Sequence, residues 1–364
     1  MKILHLFPRF AVGGAEKLVL DYARLMNGAD FEIAVGSCVE DDGLQTEFEK
    51  LGIRVFAGSR RRMGGRLGVW RELKKFVDEW QPDIVHTHLM AGDFYGFLIQ
   101  RRARRKHAFQ KDGIKWVSTQ HNVESHSFIL RRLLWRLILP RADRVIAVAQ
   151  KVNNYCVNNF GVQTEKITTI LNGIDLTRWL NVSGEIFNGD KLRIATIGRV
   201  ETQKGHKYLL HALARLKNIN WSWDIFGDGS LAMSYKNEAQ KLGIADRIVW
   251  HGVVPDVENY LTNIDLVIAP SLWEGLSLVV MEVMGAGRCI IVTGPAGDEL
   301  VDAGKTGLTV PARDVHALAE AIKFLYVTPA VARERAVNAR EYARTHFSIE
   351  KNLIALRNLY LALK

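Results

Sequence analysis

Two pairs of charged residues in the second half of the chain have spacings that suit binding chemistry. Arg199 and Lys204 lie five residues apart between an apolar β-rich run and a helical pattern, so both cations could converge on one diphosphate. A solvated loop is the alternative. Glu274 and Glu282 lie eight residues apart across the start of another helical pattern. A buried carboxylate needs hydrogen-bond donors, which a vicinal diol such as a ribose supplies. For Glu282, a salt bridge inside the domain is the alternative.

Two glycine-containing segments offer main-chain amides to an anion. Gly13 and Gly14 stand where the first strand gives way to a helical pattern, and paired glycines let a ligand approach the positive end of a helix. A tight strand-to-helix turn explains the same pair without a ligand. Residues 275–277 precede a second helical start, which predicts a further anion site at that helix terminus.

Histidines mark the ends of two predicted strands in the first half of the chain. His88 ends a strand that also contains His86, and His121 comes just after the next strand. A histidine in a sheet is commonly a hydrogen-bonded core residue, so packing and binding both remain open for His88. His86 and His88 could form part of a metal site, but the sequence indicates no third ligand. Since the chain also has no D-x-D pair to chelate Mg²⁺ or Mn²⁺, we expect no metal.

These residues follow predicted strands, and the strands define the fold class. Short β-rich apolar runs alternate with longer helical patterns, which is typical of parallel sheets covered by helices. In such sheets ligands bind beyond the carboxyl ends of the strands. A polar break at residues 181–190 separates two series, so we predict two doubly wound α/β domains. The predicted strands are Ile3–Phe7, Glu32–Ser37, Arg54–Ala57, Ile84–His88, Trp116–Thr119, Arg144–Ala147 and Ile167–Leu171, then Arg193–Ile197, Ser222–Phe226, Ile248–His251, Leu266–Ala269, Ile290–Thr293 and Gly307–Val310.

Taken in order, the motifs resemble those of the retaining glycosyltransferases of family 4. The resemblance covers about residues 1–345, and its specific part is the Glu-x7-Glu pair in register with the Arg/Lys loop. One such motif could arise by chance, whereas the ordered set is hard to produce otherwise. The set comprises Gly13-Gly14-Ala15-Glu16, Asn172-Gly173-Ile174-Asp175, Gly198-Arg199, Lys204-Gly205, Phe226-Gly227-Asp228-Gly229, Pro270-Ser271, Glu274-Gly275, Glu282 and Gly304-Lys305-Thr306-Gly307-Leu308.

The resemblance implies the α/β GT-B fold, with two doubly wound Rossmann-like domains facing across a cleft. An N-terminal acceptor-side domain would span residues 1–182, and a nucleotide-sugar-binding domain would span 183–346. The amphipathic C-terminal segment, 347–364, would cross back to the first domain. The implied activity is metal-independent, retaining transfer of a hexosyl or N-acetylhexosaminyl group from a nucleotide sugar, which is a substrate and not a cofactor, to a glycan.

The resemblance also assigns roles to individual residues. The diphosphate leaving group would be neutralised by Arg199 and Lys204, and the ribose hydroxyls would be held by Glu282. Glu274 would contact the transferred sugar, with His121 beside it, and His88 would shape the acceptor side. The remaining donor-binding positions are Gly14, Gly198 and the amides of Gly275, Leu276 and Ser277.

Composition describes an ordinary globular protein of 364 residues, 48% hydrophobic with a formal charge of +10. It excludes disorder and a disulfide scaffold. The three cysteines, Cys38, Cys156 and Cys289, form no C-x-x-C pair, which predicts reduced core thiols in the cytoplasm. The sequence indicates neither a signal peptide nor a membrane-spanning helix.

Positive charge is concentrated in the first half of the chain. Residues 1–180 contain 28 Lys and Arg against 19 Asp and Glu, whereas residues 181–364 contain 21 against 20. A Trp and three Arg interrupt the apolar segment 128–138, which is typical of a helix at a membrane interface. We therefore expect peripheral docking on the inner face of the cell membrane, which would carry a lipid-linked acceptor for surface polysaccharide assembly. The predicted docking residues are Arg101, Arg102, Arg104, Arg105, Lys106, Arg131, Arg132 and Trp135.

Other interpretations stay open at this stage. The apolar segment 128–138 could be a core-facing helix with a solvated arginine edge, and residues 101–106 could simply suit a helix C-terminus. A nucleotide-sugar 2-epimerase shares the fold and needs no membrane patch. A nucleic-acid-binding protein would use the basic face, but aromatic residues do not alternate with the cations as that function requires. Spacing leaves the base, the sugar, the acceptor and the oligomeric state open, with UDP favoured over GDP and no nucleic acid expected.

Overall fold

The computed structural model describes residues 1–10, 13–28, 30–40, 43–106, 113–123 and 129–364, with the main chain alone at positions 40, 106 and 129–131. The chain forms two compact units, residues 1–173 with 352–364, and residues 174–351. The sequence places the boundary near residue 182. Residues 174–182 belong to the second unit because Leu176 and Trp179 are buried there, where Leu176 packs against Gly285.

The first unit is built on a seven-stranded parallel sheet with the order β3-β2-β1-β4-β5-β6-β7. Its seven strands correspond one for one to the predicted series, with small differences at their ends. The strands are β1 (Lys2–Arg9), β2 (Glu32–Glu40), β3 (Arg54–Ala57), β4 (Ile84–His88), β5 (Lys115–Gln120), β6 (Arg144–Ala147) and β7 (Ile167–Thr169). The helices are α1 (Gly14–Met26), α2 (Gln45–Lys50), α3 (Gly65–Trp80), α4 (Leu89–Lys106), α5 (Ile129–Ile138) and α6 (Gln150–Tyr155).

The second unit is built on a six-stranded parallel sheet with the order β10-β9-β8-β11-β12-β13. Its strands are β8 (Leu192–Ile197), β9 (Trp221–Phe226), β10 (Ile248–Gly252), β11 (Leu266–Ala269), β12 (Cys289–Thr293) and β13 (Leu308–Val310). Its helices are α7 (Thr177–Leu180), α8 (His206–Arg215), α9 (Ala232–Leu242), α10 (Val257–Leu261), α11 (Leu278–Gly285), α12 (Gly294–Gly297), α13 (Val315–Val327) and α14 (Pro329–His346), followed by α15 (Ile349–Leu361), which enters the first unit at Asn352.

Burial on both faces is characteristic of the central strands. All five residues of β12 and all five of β4 are buried, as expected for strands that are covered by helices on both faces. The three cysteines are buried and form no disulfide, in agreement with the predicted core thiols. Hydrophobic burial at about 25 cal/mol per Å² thus fixes both sheets without cross-links.

Strand order identifies where each sheet can bind a ligand. In both sheets the chain reverses direction across the sheet between two neighbouring strands, β1 and β4 in the first and β8 and β11 in the second. The loops leaving these strands diverge to opposite faces and open a crevice at the carboxyl edge. The loops that follow β1, β4, β8 and β11 therefore form the candidate sites.

The C-terminal helix α15 packs on the first unit, as the sequence predicts. Leu356 and Tyr360 are buried, the Asn352 amide donates to the Leu171 carbonyl at 2.5 Å, and Arg357 pairs with Asp30 at 2.5 Å. Among the described residues, no single helix is long and apolar enough to cross a membrane. The consecutive helices α13 and α14 meet that length and composition together, with a bend of 101° between them.

Candidate active site

The loop after β8 carries the two predicted cations of the second unit. It forms a short 3₁₀ turn at Thr202–Lys204, and α8 follows at His206. Gly205 between them has a φ of +66°, and a Cβ there would lie 2.0 Å from the carbonyl oxygen of Pro270. Glycine is therefore required, because it allows both the left-handed conformation and the close approach to the end of β11. This contact holds the two loops of the crevice together.

Hydrogen bonds lock the β8 and β11 loops in register. The Leu272 amide donates to the Gln203 carbonyl at 2.7 Å, and the Gln203 side-chain amide donates to the Trp273 carbonyl at 3.0 Å. Arg199, which is exposed, donates to the Gln203 side-chain oxygen at 3.2 Å. Gln203 thus orients Arg199 on the same turn that carries Lys204.

Lys204 and Glu274 form the central ion pair of this crevice. The Lys204 ammonium donates to Oε1 of Glu274 at 2.6 Å, and the two side chains are 19% and 11% exposed. The Ser271 hydroxyl donates to the same oxygen at 3.0 Å. Partly buried ions keep their charge when they are paired and hydrogen-bonded. The pair therefore presents a fixed cation and an oriented carboxylate side by side.

The segment after Glu274 leads into α11, as the sequence predicts. Gly275, Leu276 and Ser277 are buried, and α11 begins at Leu278. The helix buries Val280, Met281, Val283, Met284 and Gly285, while Glu282 is partly exposed. Glu282 therefore lies, like Leu278 and Val279, on the partly exposed side of α11.

His206 also lies at this edge of the second sheet, although the sequence pattern did not single it out. Its ring is 2% exposed and neither nitrogen has a hydrogen-bond partner among the described residues. Burial, with a contribution from the Lys204 charge, lowers the pKa of His206 to about 4. The imidazole borders a small cavity lined in part by Lys204, Ser271 and Ser277, with room for about one water molecule. The position directly after Lys204-Gly205 was the available sequence signal.

In the first unit the crevice edge contains histidines. Nδ1 of His5 lies 3.0 Å from Nε2 of His88, and Nδ1 of His88 lies 2.9 Å from Nε2 of His121. The structure therefore brings the two predicted histidines together and adds His5 from β1. His5 was missed because its partner strand β4 is distant in sequence, although His5 and His86 are register partners.

Burial keeps these imidazoles neutral. It lowers the pKa of His5 to about 3 and that of His121 to about 4, and it also lowers the pKa of His86 and His88 well below their usual value. His86 hydrogen-bonds Tyr360 through Nδ1 at 2.5 Å and Thr119 through Nε2 at 2.6 Å. The first unit therefore presents neutral hydrogen-bonding groups, whereas the second presents charges.

The histidines also supply the third metal-binding group that the sequence did not indicate. One ring nitrogen from each of His5, His86 and His88 lies within 4.8 Å of the others, a separation at which three imidazoles could hold an ion. Both nitrogens of His86 and both of His88 already have hydrogen-bond partners in this arrangement. The sequence indicated no third ligand, and the pairing of β1 with β4 is what places His5 beside His86 and His88.

The glycine pair of the first unit lies at a helix start. α1 begins at Gly14, which is exposed, and Gly13 precedes it in an extended conformation. A Cβ at Gly13 would lie 2.5 Å from a carboxylate oxygen of Glu16. The main chain at Gly14 is thus accessible to a ligand.

Comparison with known proteins identifies the family. A sequence model described as Glycosyltransferase Family 4 matches residues 12–178, and a model described as Glycosyl transferases group 1 matches residues 191–327. Together they match most of the chain and both units. The chain belongs to glycosyltransferase family 4.

Relatives and solved structures of this glycosyltransferase agree with that assignment. The chain is 28% identical over 298 residues to a glycogen synthase of Mycobacterium tuberculosis, covering 78% of this chain and 70% of the relative. It is 23% identical over 395 residues to the UDP-Gal:α-D-GlcNAc-diphosphoundecaprenol α-1,3-galactosyltransferase of Escherichia coli, covering 99% and 97%. The protein is thus a glycosyltransferase of glycan or polysaccharide biosynthesis.

A solved structure supports the GT-B fold of this family 4 glycosyltransferase. The chain is similar to Anabaena HepE in complex with UDP-glucose, with a TM-score of 0.86, 21% identity and 100% of both chains covered. The predicted GT-B fold is therefore confirmed.

The predicted docking residues of the glycosyltransferase are in part engaged in ion pairs. Arg102 binds Asp78 through two hydrogen bonds of 2.7 Å, and Arg104 binds Asp143 at 3.0 Å. Arg101 and Arg105 are exposed. The side chains of Lys106 and Arg131 lie outside the described part of the chain. The charge that this segment offers to a partner is thus smaller than its sequence suggests.

Helix α5 has two apolar faces, and Trp135 belongs to the inner one. The Trp135 indole is 5% exposed, packs on Phe160 and donates to the buried carboxylate of Asp93 at 3.2 Å. The prediction that Trp135 docks on a membrane is therefore wrong, because burial and this hydrogen bond hold it in the core. Arg132, also predicted there, is exposed and donates to Asn159 at 2.6 Å. The outer face instead exposes Leu133 (51%), Leu134 (42%) and Leu137 (60%).

Proposed function

We propose that the protein is a retaining, metal-independent glycosyltransferase that transfers a hexose or N-acetylhexosamine from a UDP-sugar to a lipid-linked glycan at a membrane surface. The observation that carries the proposal is the Lys204–Glu274 ion pair at the carboxyl edge of the second sheet. Parallel sheets bind ligands at this position. A sugar diphosphate suits such a pair because it carries hydroxyls and negative charge on neighbouring groups.

Lys204 would supply fixed positive charge to the leaving diphosphate. Its ammonium is oriented by Glu274 before a donor binds, so little reorganisation is needed during the reaction. Arg199, held by Gln203, adds a forked hydrogen-bond donor for phosphate oxygens. Because negative charge on the diphosphate grows as the sugar departs, both cations would stabilise the transition state more than the bound donor.

The two glutamates would hold the neutral parts of the donor. Both described hydrogen bonds to Glu274 end on Oε1, and Oε2 would accept hydroxyls of the transferred sugar. Glu282, on the accessible side of α11, would accept the ribose hydroxyls. The amides that open α11 would approach the diphosphate.

The reaction exchanges one bond at the sugar's anomeric carbon for another. The bond to the diphosphate oxygen breaks, and its electron pair leaves with the nucleoside diphosphate. An acceptor hydroxyl oxygen forms the new bond on the same face of the sugar, and the hydroxyl proton passes to the leaving diphosphate oxygen. In place of a metal, the charges of Arg199 and Lys204 would balance the leaving group.

Two relatives support the donor and acceptor classes. The structure of the Anabaena protein in complex with UDP-glucose supports UDP as the nucleotide. The Escherichia coli relative uses, by its name, a diphosphoundecaprenol-linked acceptor. Exposed Leu133, Leu134 and Leu137 beside Arg132 and Arg136 on α5 support docking at an anionic membrane.

Transfer and epimerisation can be separated with one assay. We expect stoichiometric UDP release and a glycosylated product when purified protein is incubated with UDP-glucose, UDP-galactose or UDP-N-acetylglucosamine and a lipid-diphosphate-linked acceptor. NMR of the product should report the same anomeric configuration as the donor. Epimerised UDP-sugar without acceptor-dependent UDP release would instead identify a 2-epimerase, and an inverted product would exclude retention.

Membrane docking can be tested with matched leucine variants. Replacing Leu133, Leu134 and Leu137 with Gln should reduce binding to vesicles that contain phosphatidylglycerol and slow turnover of the lipid-linked acceptor. Turnover of a water-soluble acceptor analogue should stay unchanged, because the second unit is not altered. Leu25, Leu51 and Leu67 are exposed elsewhere in the first unit, and their replacement with Gln is the control. Equal vesicle binding by both triple variants would contradict docking through α5.

A further inference from the structure

Three imidazoles of the first unit form a continuous hydrogen-bonded chain across its sheet. His5 on β1 contacts His88 on β4 at 3.0 Å, and His88 contacts His121 after β5 at 2.9 Å. We propose that His5 and His88 are positioning residues that fix the tautomer and ring orientation of His121. The proposal rests on the proposed function only for its kinetic readout, because the family resemblance implies that His121 lies beside the transferred sugar.

The chain allows only two arrangements of protons. A neutral imidazole has one N–H donor and one acceptor nitrogen, and each contact in the chain joins one ring nitrogen of a histidine to one ring nitrogen of the next. His88 uses both nitrogens within the chain, so it must donate to one neighbour and accept from the other. The tautomer of His5 therefore dictates that of His88, and His88 dictates that of His121.

Each arrangement gives His121 a defined chemical character. If His5 donates to His88, then His88 donates to Nε2 of His121, and His121 keeps its proton on Nδ1. If the direction is reversed, His121 donates from Nε2, and its Nδ1 becomes an acceptor. Since Nε2 is engaged in both cases, Nδ1 is the nitrogen that can meet a sugar hydroxyl. The direction of the hydrogen bonds from His5 to His121 thus determines whether Nδ1 of His121 donates or accepts a hydrogen bond.

Packing prevents the central ring from rotating. Phe7 stacks on His88 with a centroid distance of 4.8 Å and an interplanar angle of 14°, and His86 stacks on His88 at 4.5 Å and 26°. His86 is itself fixed by Thr119 and Tyr360. A His88 ring that flipped out of its plane would collide with these neighbours, so its two nitrogens stay directed at His5 and His121.

Nitrogen NMR of histidine-labelled full-length protein tests the chain without requiring activity. In the wild type, the ring nitrogens of His121 should report a single tautomer. His88→Phe keeps a stacked ring but removes both hydrogen bonds, and His5→Leu keeps the His88–His121 bond but frees its direction. Both variants should give His121 signals averaged between two tautomers. His86→Phe removes a buried imidazole outside the chain and should leave the His121 tautomer unchanged.

Kinetics give the second readout. If His121 acts beside the donor, His5→Leu and His88→Phe should lower kcat about 10- to 100-fold, as removal of the partner that orients a metal-bound histidine does, with the donor KM retained. Two comparably populated His121 tautomers in the wild type, or an unchanged His121 spectrum in folded His5→Leu, would overturn the proposal. If the protein shows a single His121 tautomer but no transferase activity, the proposed function is overturned, whereas the proposal that His5 and His88 position His121 is not.

Discussion

The two sheets of this glycosyltransferase have similar topology but opposite chemistry at their carboxyl edges. In the first unit the residues beside the reversal of strand order are His5, His86 and His88, all buried and neutral. In the second unit the corresponding loops carry Lys204 and Glu274, which are paired and partly exposed. The strand order provides the crevice, and the side chains decide what it can bind.

Solvation explains why the two edges differ in burial. Even a paired ion pays a desolvation penalty when it leaves water, whereas a neutral imidazole that keeps its hydrogen bonds pays little. The charged edge therefore stays partly open to solvent, ready for an anionic ligand. The histidine edge can be fully buried because its imidazoles have hydrogen-bond partners within the first unit. We expect the first edge to orient neutral groups and the second to neutralise charge.

The largest effect should come from removing the cation of the charged edge. Lys204→Ala should lower kcat by roughly 10²–10³, the range for loss of one preorganised electrostatic donor, while the protein stays folded. Lys207→Ala is the matched control, because Lys207 is an exposed lysine one turn away on α8. A kcat for Lys204→Ala equal to that of the control would remove Lys204 from the reaction.

A smaller effect is expected for the carboxylate on α11. Glu282→Ala should weaken donor binding by about 1–3 kcal/mol, because two hydroxyls of the ligand lose their acceptor, with a smaller change in kcat. Calorimetric titration with UDP-glucose measures the dissociation constant directly. Glu320→Ala, an exposed carboxylate on α13, should bind like the wild type. If Glu282→Ala does so too, Glu282 is structural.

Local spacing predicted the charged edge better than the histidine edge. Lys204 and Glu274 each follow a predicted strand and stand directly before a glycine, so a location at the carboxyl edge of the same sheet could be predicted for both. The contact between His5 and His88 depends on β1 lying next to β4, which only the three-dimensional sheet reveals. Both histidines are visible in the sequence, but the contact between them could not be predicted from it.

Helix α5 shows a second limit of sequence patterns. Its apolar residues cover two sides, so periodicity alone could not decide which side faces the core. The buried carboxylate of Asp93 on α4 settles the orientation, because the Trp135 indole is one of its hydrogen-bond donors. Strand positions, by contrast, were predictable throughout, since short β-rich apolar runs alternate with longer helical patterns along the sequence.

His206 provides a stability test of the same contrast. Its buried ring lacks described partners, so His206→Leu, which nearly conserves volume, should leave the urea midpoint unchanged or raise the free energy of unfolding by about 1 kcal/mol. His86→Leu should instead lower it, because the hydroxyls of Thr119 and Tyr360 lose their partner. Equal destabilisation by both substitutions would contradict the contrast.

The pH dependence of stability sharpens this test. Burial lowers the pKa of His206 to about 4, so the unfolded chain takes up a proton near pH 6.5 before the folded one does. The stability associated with a neutral His206 is therefore complete above pH 6.5 and is lost as the pH falls toward 4. Urea titrations between pH 7 and 4 should show a shallower loss for His206→Leu than for the wild type. Parallel curves would mean that His206 gains its proton at the same pH in the folded and unfolded states, which would contradict the lowered pKa.

The smallest expected effect is that of metal removal, and it compares the two edges directly. If Arg199 and Lys204 balance the charge of the leaving diphosphate, dialysis against EDTA should leave the initial rate of sugar transfer unchanged, and added Mg²⁺ or Mn²⁺ should not raise it. The histidine edge gives this experiment its alternative outcome, because one nitrogen each from His5, His86 and His88 lies within 4.8 Å of the others. Loss of activity in EDTA that Zn²⁺ or Mn²⁺ restores, together with loss of the ion in His86→Phe, would assign a metal to that edge. This result would also contradict the proposed hydrogen-bonded chain of imidazoles, since a ring nitrogen bound to a cation cannot accept a hydrogen bond from its neighbour.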